Sequence, residues 1–166
     1  MKNNENLITY LNTEILSKNS KAQFYLISAE EFIPNDNETK STYKKLIGVF
    51  DSLNNGLFKV YNLIINNPDD INFKDENNVI KPLKFSENLF NNESNLIEEL
   101  FHLIDHEILA YNLVHRLYNF AINRELKNPY LSKSMTLIQE SEKAVRYLFK
   151  EIFDFKRIEL ENRASK

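Results

Sequence analysis

An all-α, four-helix fold is predicted by three observations on this sequence. Apolar residues recur at helical spacing through four long stretches, and breaks at Pro34, Pro68 and Pro129 separate them. With only 2 Gly and 4 Pro in 166 residues, the chain also has few places for the tight turns that an all-β fold needs. The balance of 42% hydrophobic and 27% charged residues fits one soluble domain over residues 1–166 with a substantial core.

Helix one is expected over residues 5–33, with the stripe Ile8, Leu11, Ile15, Ala22, Leu26, Ala29 and Ile33, and Pro34 ends it. Thr39 or Ser41 can cap helix two, expected over 40–66, whose stripe includes Leu46, Phe50, Leu53, Leu57, Val60 and Ile64. Residues 67–93 carry Asp and Asn runs with scattered apolar residues. A link this long reads as an ordered crossover pinned to the surface. Helix three is expected over 94–127 and helix four over 130–156. Short links between one and two and between three and four imply antiparallel hairpins, and the long middle link implies an end-to-end crossover. That combination is the ferritin-like variant of the four-helix bundle.

Several function classes are excluded. There is no Cys, so disulfides, zinc–thiolate sites and thiol catalysis are absent. The net charge is −3 and the 21 basic residues are spread along the chain, which argues against nucleic acid as a partner. No run approaches the 18 or more apolar residues of a membrane span, so no membrane association and a cytoplasmic location are expected. The glycine-rich nucleotide loops and the nucleophile-elbow motif do not occur. Ser134 to Ser141 carries hydroxyls without a nearby His in the sequence, and an acyl-transfer enzyme is not expected.

The polar residues inside the stripes are more informative. At 100° per residue, Glu107 falls near the centre of helix three's stripe. Lys18 interrupts helix one's stripe, Asn54 that of helix two, and Glu142 with Ser141 that of helix four. All lie near mid-helix, which predicts one polar layer across an apolar core. A ferritin-like dinuclear centre needs four carboxylates and two Glu-x-x-His motifs at that level. Here the layer offers two carboxylates, an amide and an ammonium. One reading is therefore a metal-free buried network in which Lys18 pairs with Glu107 and Glu142 and Asn54 completes the hydrogen bonds. The other is that Lys18 snorkels to the surface and Glu142 sits at the stripe boundary, leaving only Glu107 buried.

All three histidines, His102, His106 and His115, lie on helix three. Glu99, His102 and His106 have metal-compatible spacing and share one arc, but that arc flanks the main stripe and no other helix carries a His. The expectation is a boundary cluster rather than a metal site. A second apolar arc on helix three, Leu109, Leu113, Leu117 and Phe120, needs a cover. The crossover is the economical one, and a second copy or another protein docking through helix three is the alternative.

Helix one reads Leu11-Asn12-x-x-Ile15 and then Tyr25-x-x-x-Ala29-Glu30. It resembles the opening LN-x-x-I and Y-x-x-AAE pattern of DUF2383, a ferritin-like family of small bacterial stress-associated proteins. The resemblance implies a ferritin-like bundle over about residues 7 to 153, with Glu107 and Glu142 at acidic positions of helices three and four. Asn54 stands where that family would have an acid, and helices two and four lack His, so the family's metal site reads as degraded. The expectation is a non-catalytic, stress-associated or partner-binding bundle without a cofactor. The alternative is a dinuclear metalloprotein using Glu107 and Glu142 with Glu30 or the Glu99, His102, His106 cluster for iron, manganese or zinc.

Overall fold

The computed structural model describes residues 5–65, 87–123 and 129–164. Four helices pack around one hydrophobic core, and there is no strand among the described residues. Helix α1 has three stretches, α-helical Glu5–Tyr10, a π-helical segment Leu11–Leu16 and α-helical Ser17–Ser28, followed by a 3-10 turn at Glu30–Phe32. The others are α2 (Asn37–Ile65), α3 (Glu87–Asn123) and α4 (Pro129–Ala164). Pro129 opens α4, a position where the missing N–H is no loss.

Two boundaries move for local reasons. The cap of α2 is Asp36, upstream of the expected Thr39 or Ser41: the Thr39 N–H donates to Asp36 Oδ1 at 2.8 Å and the Thr39 hydroxyl to Oδ2 at 2.9 Å. Helix α3 begins at Glu87 rather than at Ser94, so residues 87–93, read as crossover, are helical. The rest of that expected segment, residues 67–86, lies outside the described residues.

Helix directions correct the expected topology. Between α1 and α4, Tyr10 donates to the Ala144 carbonyl at 3.2 Å, and Ser134 donates to that of Ala22 at 2.9 Å. Between α2 and α3, Gly56 faces Leu103 and Lys59 faces Glu99. Between α1 and α2, Tyr43 donates to the Leu26 carbonyl at 3.4 Å, and Tyr61 to Asn12. Position rises on one helix as it falls on the other in every pair. An end-to-end crossover would make α2 and α3 parallel, whereas they are antiparallel, and the bundle is up-down-up-down.

The core is built from leucines with Phe50, Ile15, Ile64 and Val145, fully or almost fully buried. Each such side chain contributes roughly 1.5–3 kcal/mol relative to an exposed one. In α1, Leu7, Leu11, Ile15 and Asn19 are all buried at four-residue intervals. A regular α-helix would carry such a series around by about 40° per step. The π segment, where the Ser17 N–H bonds the Asn12 carbonyl five residues back, underwinds the helix and keeps all four on the core side.

Candidate functional site

The residue that the π segment brings inward is Asn19, and it meets Glu107 of α3 at mid-bundle. Its Nδ2 donates to Glu107 Oε1 at 2.7 Å, while its Oδ1 accepts from the Ser141 hydroxyl of α4, also at 2.7 Å. Ser141 also lies within reach of its own helix, 3.1 Å from the Ile138 carbonyl. All three side chains are shut off from solvent. Glu107 Oε2 has no hydrogen-bond partner. Burial pushes the Glu107 carboxyl up from 4.5 to about 7; the Asn19 amide and Ser141 hydroxyl pull it down, and the nearby Glu142 charge adds to the rise.

This layer differs from the paired network at three of its four members and agrees with the other reading, in which Lys18 reaches the surface, Glu142 sits at the stripe boundary and Glu107 alone of the four is buried. Lys18 is not paired with Glu107: it lies at the surface, bound to Glu14 at 2.8 Å and facing Glu140 at 3.5 Å. The Glu14 hydrogen bond, ahead of the other influences, raises its pKa. Constant 100° stepping places both 18 and 19 beside the stripe, and the π segment decides between them. Asn54 is half-buried on α2 and is not a hydrogen-bond partner of Glu107. Glu142 sits at the stripe boundary with its side chain 18% exposed, held by Arg146 one turn on. Glu107 is therefore buried as expected but has no cation beside it.

The remaining candidates are scattered. Glu30 is exposed in the 3-10 turn, 11 positions beyond Asn19 and so about 16 Å along the axis. Glu99, His102 and His106 do share a surface. They line a cleft of about 310 Å³ with Ser52, Asn55, Gly56 and Lys59 of α2. Its floor is the contact of Gly56 with Leu103, where an added Cβ would stand 2.8 Å from Leu103 Cδ2. His106 Nδ1 lies 2.6 Å from the His102 carbonyl and donates to it, which leaves Nε2 as the free ring nitrogen. His115 is exposed and stacks on Tyr111.

Among the described residues no three imidazole or carboxylate groups stand close enough to hold one metal ion. A dinuclear centre does not fit the mid-bundle layer. Its contributions from α1 and α4 are the Asn19 amide and the Ser141 hydroxyl, and the nearest second carboxylate is engaged by Arg146. The second apolar arc of α3 is already covered. Leu113 and Leu117 are buried, and Leu109 and Phe120 pack against the core, because α3 sits between α2 and α4 and needs two apolar faces. What α3 exposes is different: Phe101 at 51% and Ile108 at 37%, seven residues apart, with the Phe101 ring 4.5 Å from that of Phe149 on α4.

Comparison with known proteins returns nothing. No family model, curated protein or solved structure matches the chain. Among the described residues no helix is long and apolar enough to cross a membrane.

Proposed function

We propose that the chain is a non-catalytic helical bundle that works through its surface, as a partner-binding or structural module. The observation that carries this reading is the closed mid-bundle layer. Its one carboxyl is spoken for by an amide, its amide by a hydroxyl, and none of the three reaches solvent, so no substrate has access to them. Such a layer sets helix register, since sliding α1 by one residue would break both contacts at once. The DUF2383 resemblance, with the stress-associated role it implies, belongs to this proposal and rests on the helix-one residues alone.

The partner surface proposed is the seam of α3 and α4, where Phe101 lies exposed against Phe149 and Ile108 is exposed two turns further along α3. Seven-residue spacing puts Phe101 and Ile108 on one line of the helix, which suits a second helix laid alongside. Two measurements test the reading. Elemental analysis of protein purified without chelator should find no stoichiometric iron or manganese, and about two ions per chain would overturn the non-catalytic assignment. Sedimentation of the wild type against Phe101→Ser should show self-association that the variant loses. A wild type monomeric at every concentration would remove this seam as a self-docking face.

A further inference from the structure

The α2–α3 cleft is used neither by the core nor by the buried layer, and its lining has a definite polarity. Along its length, Ser52 and His106 sit at one end, Asn55 and His102 in the middle over the Gly56–Leu103 floor, and Lys59 and Glu99 at the other end. Its volume is at the small end of ligand sites. Four of the lining side chains, Ser52, Asn55, Lys59 and His102, can offer N–H or O–H donors, since His106 gives its own to the His102 carbonyl, and Glu99 is the only lining carboxylate. Lys59 Nζ lies 3.8 Å from Glu99 Oε1, outside hydrogen-bond contact, so the ammonium keeps its donors for a ligand.

We propose that this cleft binds a small oxyanion, a carboxylate or phosphate group, held by Lys59 with Ser52, Asn55 and His102. A cation is disfavoured by the Lys59 ammonium and by the lack of a third ligand near the imidazoles. The lining carries one fixed cation, Lys59, and one carboxylate, Glu99, and Glu98 stands beside it, 3.9 Å from His102 Nε2.

The test uses the full chain and inorganic phosphate or acetate as probe, followed by amide chemical shifts. Expected are saturable shifts confined to residues 52–59 and 99–106. Lys59→Met should weaken binding about fivefold, and Glu99→Gln, which removes the only lining carboxylate, should tighten it by a similar factor. Both side chains reach the surface, and a thermal melt of each variant checks that the fold is retained. Absence of saturable shifts overturns the proposal, as does weaker binding in Glu99→Gln. Saturable zinc binding in phosphate-free buffer that strengthens with pH and is lost in His102→Gln would also overturn it, by showing a cation site.

Discussion

Replacing Glu107 by glutamine keeps the shape and the contact with Asn19 but removes the ability to ionise inside the core. The wild-type carboxyl is raised from 4.5 to about 7, chiefly by burial. Between those values the unfolded chain has lost its proton and the folded one still holds it. Stability from this group is therefore fully present below pH 4.5, falls as pH rises, and is gone above about 7. At about 1.4 kcal/mol per pH unit, the loss across the window is about 3 kcal/mol. Urea denaturation of both proteins, followed by circular dichroism at half-unit steps from pH 4.5 to 8.5, isolates this contribution because every other titrating group is common to both. The glutamine variant should gain about 3 kcal/mol on the wild type by pH 7 and hold a constant lead above it. A difference that stays flat across the range would refute the reasoning. So would the opposite slope, which would mean that the carboxylate is stabilised by a cation.

Four further outcomes follow from contacts described above. Asn19→Leu strips Glu107 of its donor and Ser141 of its acceptor and should cost roughly 2–4 kcal/mol in chemical denaturation. Lys18→Met should cost less than about 1 kcal/mol, and its combination with Glu107→Gln should be additive within about 0.5 kcal/mol. Gly56→Ala sets a helix-propensity gain of about 1 kcal/mol against a contact that the Leu103 side chain can relieve, so its midpoint should barely move. Gly56→Leu should lose about 1–3 kcal/mol by overpacking the same spot. Asp36→Ala should cost about 1 kcal/mol through the lost cap, visible as a lower thermal midpoint.

Helix number and core composition were legible because both depend on periodicity and proline, which are local. Glu107 was legible for the same reason: its neighbours Leu100, Leu103, Ile104 and Val114 are all apolar and all buried. Asn19 was missed because stepping at constant pitch cannot represent a helix that underwinds at Leu11–Leu16. The clue was the unbroken four-residue series Leu7, Leu11, Ile15, Asn19. Topology was missed because the length of a link does not determine whether it spans the bundle or returns at the same end. The α2–α3 cleft depends on Gly56 meeting Leu103 across two helices, and nothing in either helix alone signals that contact. The second arc of α3 reads as surplus only while α3 is given one neighbour; packed between α2 and α4, it needs both.

The central claim is that the bundle carries at mid-height one buried carboxyl, held on one oxygen by an amide that a hydroxyl in turn holds, rather than by a cation or a metal. Site-resolved carbon NMR of the Glu107 carboxyl across pH, with and without added manganese, tests it most directly. The resonance should titrate with a midpoint near 7 and be indifferent to the metal. A midpoint at or below 4.5, or selective broadening of this resonance by stoichiometric manganese, would contradict it.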